Sequence, residues 1–361
     1  PDAYAVIGQS NFSSNEPGLG PSNLSGPAGL VYDTENERLF VGDDGNQRVL
    51  VFDVTPENLE TGMTASGVIG QPDFESQQPR TDPTQFSPGN MSFDPRYQRL
   101  FVVDDWRAEH QSNSRILVFD VHPDRMARMP EASHVIGQPD FNTFERLVSR
   151  NRFMLAKIGP NSVDPDRQLL YVVEGYLGGN RVITFDIHPD RLRNGADALH
   201  VFGQVDEAGN PDFQARAANA QINGRVGARV RAVVLDKVDH RLFVTDGYNN
   251  RVLVFQLDRW DRVLEREATW VIGQPSVNVS ELVAVSRRTV QIPLALEYDE
   301  AEKHLFVADG WGNRVMVFDV HPDRLANRPE ALYALGQQDF ESITRRTTQD
   351  GFDMDIRLFR G

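Results

Sequence analysis

The sequence predicts an all-β fold, a β-propeller of four-stranded antiparallel blades, and three observations support this. One hairpin motif recurs five times, starting at Glu37, Gln98, Gln168, His240 and Lys303. A second phrase, VIGQ or a close variant, recurs six times, with its glycine at Gly8, Gly70, Gly137, Gly203, Gly273 and Gly336. The apolar residues alternate with a period near two, which favours strands over stacked helices. A long fixed period indicates an array of similar supersecondary units.

The repeat runs through all 361 residues without a break in composition, so we predict a single domain, 1–361. The approximate repeats are 10–71, 72–138, 139–204, 205–274 and 275–337, and 338–361 form a tail or partial blade. Five repeats are complete, whereas the VIGQ phrase occurs six times. Either Val6-Ile7 or Ala334-Leu335 is therefore surplus to five blades. A sixth blade on closure of the propeller is the alternative.

Each repeat contains four short apolar runs separated by turn residues. The first run ends in aspartate, and the leucine of the second run follows six residues later. An acid stands four residues after that leucine. The third run opens with arginine and reaches phenylalanine four residues later, and VIGQ forms the fourth run. Constant spacing around turns of varied composition is typical of hairpins with a fixed register.

The acid and the arginine recur together in every repeat. The pairs are Asp43 with Arg48, Asp104 with Arg115, Glu174 with Arg181, Asp246 with Arg251 and Asp309 with Arg314. A ring of acids on one face is a tempting catalytic feature. We interpret the pairs as structural cross-strand ion pairs instead, because catalysis needs one asymmetric site and this feature appears in all five repeats.

The hairpin from Asp246 to Phe255, and its counterpart from Asp309 to Phe318, resembles the NHL repeat. The resemblance covers all five repeats, although the units here are longer than ordinary NHL units, in a variety with IGQPDF phrases that is associated with bacterial proteins. It implies a propeller that binds protein, RNA or a small ligand. A minority of such propellers are enzymes, such as the peptidyl-amidoglycolate lyases, which hold a metal on the propeller axis.

Composition restricts the partners. The formal net charge of −15 argues against nucleic acid, which needs a basic face. No apolar run is long enough to span a membrane. Cysteine is absent, which excludes disulfides and cysteine-ligated zinc. The first residue is Pro1 rather than methionine, from which we expect export to an extracellular or periplasmic location, with a cytoplasmic location as the alternative.

Four of the five second-to-third turns have a large aromatic residue two positions after the acid: Trp106, Tyr176, Tyr248 and Trp311. If these tips share a face, they form a surface for a protein, carbohydrate or other small-molecule ligand. Arg107 and His110, in the longest of these turns, are added to this candidate site. The alternative is that the rings pack between blades. The recurring His-Pro-Asp-Arg segments at His122, His188 and His321 are predicted to be turns.

We therefore expect a non-catalytic binding or scaffold propeller that needs no cofactor. One alternative is a propeller enzyme of the lyase or lactonase type with Ca²⁺ or Zn²⁺ on its axis. Oxygen-rich ligands for that ion would come from first-run positions such as Asn90, Asn161 and Glu297. A second alternative is a structural subunit of an extracellular assembly.

Overall fold

The computed structural model describes residues 3–77, 86–104, 107–108, 111–126, 130–145, 147–153, 162–175, 179–204, 206, 210–215, 230–260, 267–281 and 284–345. These residues form five sheets of four antiparallel strands, so the chain has the all-β propeller fold class that the sequence predicts, with five blades where the sequence leaves five or six open. The only helical elements in the described part are two 3-10 turns. No helix among the described residues is long and apolar enough to cross a membrane.

One compact unit, the first unit, comprises Ala3–Leu170 and Phe185–Ala198. It contains sheets 1 and 2 complete. Sheet 1 has strands β1 (Pro27–Asp33), β2 (Arg38–Asp43), β3 (Arg48–Asp53) and β4 (Gly67–Ile69), with a 3-10 turn (Asp44–Asn46) between β2 and β3. Sheet 2 has strands β5 (Pro88–Asp94), β6 (Arg99–Asp104), β9 (Arg115–Asp120) and β10 (His134–Ile136). Between β6 and β9, β7 (Arg107–Ala108) and β8 (Gln111–Ser112) form a separate two-stranded ribbon.

The second unit comprises Pro1–Asp2, Tyr171–Thr184 and Leu199–Gly361. Sheet 3, which is divided between the units, has strands β11 (Ser162–Asp164), β12 (Leu169–Glu174), β13 (Arg181–Asp186) and β14 (His200–Phe202). Sheet 4 has β15 (Val233–Asp236), β16 (Arg241–Asp246), β17 (Arg251–Gln256) and β18 (Trp270–Ile272), with a 3-10 turn (Gly247–Asn249) between β16 and β17. Sheet 5 has β19 (Pro293–Asp299), β20 (His304–Asp309), β21 (Arg314–Asp319) and β22 (Ala331–Leu335).

The aspartate that ends each first strand organises the first hairpin. In sheet 1 the Oδ1 atom of Asp33 accepts hydrogen bonds from the amides of Glu35 and Asn36 at 3.2 and 3.3 Å. The hydrogen bonds of this Asx turn offset the conformational strain of Glu37, whose backbone is left-handed with a φ of 49°. Left-handed residues stand at the same position in the other sheets: Gln98, Gln168, His240 and Lys303. The fixed spacing seen in the sequence therefore reflects one turn geometry.

Within the first unit, sheet 1 packs against sheet 2. We call the side of a sheet that packs on the next sheet in the chain its exit face, and the opposite side its entry face. The exit face of sheet 1 (Phe40, Val49, Val51, Ile69) and the entry face of sheet 2 (Leu100, Val102, Leu117, Phe119) form one buried cluster. The ring of Phe40 stacks on Phe93, with 6.0 Å between centroids. Arg38 adds a bond of 2.9 Å to the carbonyl of Val121.

Within the second unit, sheet 4 packs against sheet 5 in the same way. The exit face of sheet 4 (Phe243, Val252, Val254, Ile272) and the entry face of sheet 5 (Leu305, Val307, Met316, Phe318) form one buried cluster. Phe243 lies 5.6 Å from Tyr298, centroid to centroid. Lys303 reaches back to Asp239 at 2.9 Å. Apolar burial and a polar link at the rim thus recur at both joints.

The six VIGQ phrases do not all form strands. Ala334-Leu335 lie in β22, whereas Val6-Ile7 are not in a strand, which corrects the assignment of every copy to a fourth strand. A fourth strand pairs with the third strand of its own sheet, and the described residues place no third strand beside Val6. Val6 instead bonds to the loop at Thr61 and Gly62.

Candidate functional site

The second hairpin of sheet 5 is built on a buried ion pair. Asp309 ends β20 opposite Arg314, the first residue of β21. The Nε atom of Arg314 donates to Oδ2 of Asp309 at 2.9 Å, and the amides of Gln291 and Gly312 donate to Oδ1 at 2.9 and 3.3 Å. Neither Asp309 nor Arg314 exposes any surface. The carboxylate therefore holds the turn and the incoming chain together.

The structure places an arginine against the acid in all five second hairpins. The Nε–carboxylate distances lie between 2.7 and 2.9 Å, and every acid is fully buried. The pairs are Arg48–Asp43, Arg115–Asp104, Arg181–Glu174, Arg251–Asp246 and Arg314–Asp309. This geometry is that of a hairpin brace, because each buried carboxylate already has an arginine partner in its own hairpin.

Each of these arginines also ties down the loop that follows the VIGQ phrase. Its guanidinium donates to a backbone carbonyl there, from Phe74, Phe141, Phe213, Val277 and Phe340 in sheets 1 to 5. The glutamine of the phrase adds a second bond between the loop and the hairpin, because its side-chain amide donates to a carbonyl of the hairpin turn. Gln337 donates in this way to the carbonyl of Asn313 at 2.9 Å. The recurring QPDF phrase marks the loop in the sequence, but its bond to the arginine was not predicted.

Two of the predicted aromatic tips are described, and both are exposed. Tyr248 lies in the 3-10 turn of sheet 4 with 45% of its surface exposed, and Trp311 lies in the β20–β21 turn with 43% exposed. The segment before β19 links the two turns: the amide of Ile292 donates to Asn250 at 3.2 Å, and the amide of Trp311 donates to Gln291 at 3.2 Å. Both rings therefore project from braced turns within the second unit.

Trp106, His110 and Tyr176 lie outside the described residues. The backbone of Arg107 belongs to β7, and its side chain is outside the description.

Sheet 1 has Gly45 where sheets 4 and 5 have Tyr248 and Trp311. The amide of Gly45 donates to the carbonyl of Ser25 at 2.8 Å, and a Cβ atom on Gly45 would collide with Ser25. The close approach of the two chain segments explains why this turn has a glycine. The aromatic tip is thus a property of particular sheets, whereas the buried pair is common to all.

The recurring histidines lie in turns, as the sequence predicts. The Nδ1 atoms of His122, His188 and His321 each accept the amide hydrogen of the aspartate two residues later, at 3.3 Å. An exposed Asp–Arg pair closes each turn, as in Asp319 and Arg324 at 2.7 Å. The hydrogen bond from Arg324 lowers the pKa of Asp319, as does the amide of His321.

The described residues of the metal-binding alternative lie on different elements. Asn90 lies on β5 of the first unit, Glu297 lies on β19 of the second unit, and Asn161 is outside the described residues. Among the residues that the structure describes, no group of three histidine, aspartate or glutamate side chains is arranged to hold a metal ion.

No family model matches the chain, and no curated protein matches it. A crystal structure of a protein from Lactobacillus plantarum is similar to 87% of this chain and 72% of its own, with 12% sequence identity and a TM-score of 0.48. A similarity at this level supports no inference about ligand or activity.

Proposed function

We propose that this protein is a non-catalytic binding module that uses the aromatic tips of its second hairpins to hold a partner. The observation that supports this most is the contrast within one turn of sheet 5. Asp309 and Arg314 are fully buried and bonded to each other, while Trp311, between them, exposes 43% of its surface. The charges support the turn, and the ring is left free to contact a partner.

The turns are already ordered, so they can present the two aromatic rings with little loss of conformational entropy on binding. Trp311 donates its backbone amide to the carbonyl of Gln291, and the turn of Tyr248 is closed by the bond from the amide of Asn250 to the carbonyl of Gly247. A preorganised turn loses little conformational entropy when it binds. Exposed tryptophan and tyrosine are also the side chains that dominate binding energy at interfaces.

Flat apolar rings with a polar edge match two classes of partner: the faces of sugar rings, and peptides with apolar side chains. Assignment to the NHL-repeat family and an extracellular or periplasmic location are part of this proposal. The family assignment is supported by the D-G-x-N-N-R-V-x-V-F hairpin at Asp246–Phe255 and its close variant at Asp309–Phe318, and the lack of cysteine is compatible with the proposed location.

An array of oligosaccharides and short peptides tests the proposal. We expect the protein to bind members of one class. Tyr248→Ala and Trp311→Ala should each weaken that binding at least about tenfold, which corresponds to about 1.4 kcal/mol. Titration by calorimetry measures the change.

Trp260→Ala is the matched control, because Trp260 is another exposed aromatic residue, at 50%, in the segment after β17. It should leave binding unchanged. A protein that binds no member of either class, or a Tyr248→Ala/Trp311→Ala double variant that binds as well as the parent, contradicts the proposal.

A further inference from the structure

The exit face of sheet 5 is less covered than those of sheets 1 and 4. Phe40 and Phe243 are fully buried, whereas their counterpart Phe306 is only partly buried. Val315 is likewise partly buried, and Tyr333, on β22, exposes 59% of its surface. An apolar sheet face of this kind needs a covering segment.

After four of the other VIGQ phrases, one apolar residue packs on the glycine of the phrase. A Cβ atom placed on that glycine would collide with the residue or lie within 2.9 Å of it. The contacts are Gly8 with Leu24, Gly70 with Phe86, Gly137 with Phe153 and Gly273 with Val290. The apolar residue stands 16 or 17 positions after the glycine and shortly before the next first strand.

The sequence continues this pattern beyond sheet 5. Gly336 has the same left-handed backbone, with a φ of 84°. Phe352 stands 16 positions after Gly336, the interval that separates Gly70 from Phe86. Residues 346–361 lie outside the described residues, and their alignment with the other repeats follows from the sequence.

The spacing of sheet 2 identifies the next contacts. After Phe86, Met91 and Phe93 lie five and seven positions later, and Phe93 stacks on Phe40 of the preceding sheet. Counting from Phe352, the same spacing reaches Arg357 and Phe359. Phe359 thereby corresponds to the ring that stacks on the exit-face phenylalanine, which in sheet 5 is Phe306.

Charge supports the same alignment. At the two covered joints, Val31 packs in the cluster that contains Met91, and Val234 packs in the cluster that contains Leu296. In sheet 5 the position of Val31 and Val234 is taken by Glu297, and Arg357 takes the position of Met91. An acid and a cation thus replace two apolar side chains that belong to one cluster. Glu297 is exposed to solvent, but desolvation by the surrounding protein raises the pKa of its carboxyl group. A nearby cation would therefore stabilise the charged form of Glu297.

We propose that the exit face of sheet 5 binds residues 352–359 of the same chain. Phe352 packs on Gly336, Arg357 pairs with Glu297, and Phe359 stacks on Phe306. The segment covers the first-strand side of the face.

Charge reversal tests the pairing. In hydrogen-exchange mass spectrometry, Glu297→Arg and Arg357→Glu should each speed amide exchange of residues 352–359 about tenfold or more, because each leaves a charge without its partner. The double variant should return exchange to within about twofold of the parent. Glu302→Arg, at an exposed position after β19, is the control and should change nothing. The proposal is overturned if neither single variant changes the exchange rate, or if the double variant exchanges as fast as the single variants.

Cross-linking provides a second readout that does not depend on the ion pair. The chain has no cysteine, so introduced thiols react only with each other. Phe306→Cys with Phe359→Cys should give a disulfide within one chain on mild oxidation, and Phe306→Cys with Asp353→Cys should not. A disulfide between two chains would show that a second copy covers the face, and no disulfide at all would show that residues 352–359 do not. Either result overturns the proposal.

Discussion

The second hairpins of sheets 1 and 5 share one buried ion pair and differ at the tip. Asp43 with Arg48, and Asp309 with Arg314, are joined at 2.8 and 2.9 Å and are fully buried. Between them stands Gly45 in sheet 1 and the exposed Trp311 in sheet 5. The pair recurs because the hairpin needs it, whereas the residue at the tip differs from one sheet to another. The two hairpins therefore separate what holds the fold from what can bind a partner.

The largest expected effect comes from breaking the shared pair. Arg48→Met or Arg314→Met leaves a buried carboxylate without its cation and should lower the free energy of unfolding by about 3–5 kcal/mol. Urea denaturation measures the change. Arg125→Met is the control, since Arg125 and its partner Asp120 are exposed by 57% and 47%, and its effect should be far smaller. If both buried replacements stay within about 0.5 kcal/mol of the parent, the pairs are not the braces described here.

Exchanging the tips should give an intermediate and asymmetric effect. Gly45→Trp forces a side chain against Ser25 and should cost about 1–3 kcal/mol of unfolding free energy. Trp311→Gly removes an exposed ring and should cost less than about 1 kcal/mol. Thermal and urea unfolding of the two variants side by side would show this order. Equal losses would mean that the Trp311 ring contributes to packing.

The smallest expected effect concerns the exposed Asp319–Arg324 pair. Arg324 lowers the pKa of Asp319, so the folded-state value lies below the unfolded value of about 3.9. The pair therefore stabilises the fold above about pH 4, and this contribution is lost as the pH falls through the folded-state pKa. Arg324→Gln should raise the pKa of Asp319, which NMR titration of the carboxyl carbon measures. An unchanged pKa would show that Arg324 does not control this carboxyl group.

Much of the fold follows from the sequence, because its spacing is fixed by turn geometry. The six residues from Asp33 to Leu39 reflect an Asx turn with a left-handed Glu37, and the same interval recurs in every sheet. The acid and arginine could be paired in advance because cross-strand neighbours are set by register. Val6-Ile7 could not be judged from their phrase, since a strand forms only where a partner strand is present.

Less of the candidate site follows from the sequence. The aromatic residues after the acids are visible as a pattern, but only packing shows that Trp311 is exposed and that Gly45 is enforced by Ser25. The hydrogen bonds from arginine to the loop after VIGQ also could not be predicted from the sequence. They are long-range contacts to backbone atoms, such as Arg48 to Phe74, and although the recurring QPDF phrase marks the acceptor loop, a backbone acceptor does not identify its donor by residue type.

The central claim is that the buried ion pair stabilises the fold while the exposed ring binds the partner. The most direct test compares two variants of one hairpin, Arg314→Met and Trp311→Ala. For each variant, unfolding free energy and affinity for the array member that the parent binds are measured together. We predict that Arg314→Met loses about 3–5 kcal/mol of stability, and that Trp311→Ala stays within about 0.5 kcal/mol of the parent yet binds at least about tenfold more weakly. A Trp311→Ala variant that unfolds easily, or that binds as tightly as the parent, would contradict the account.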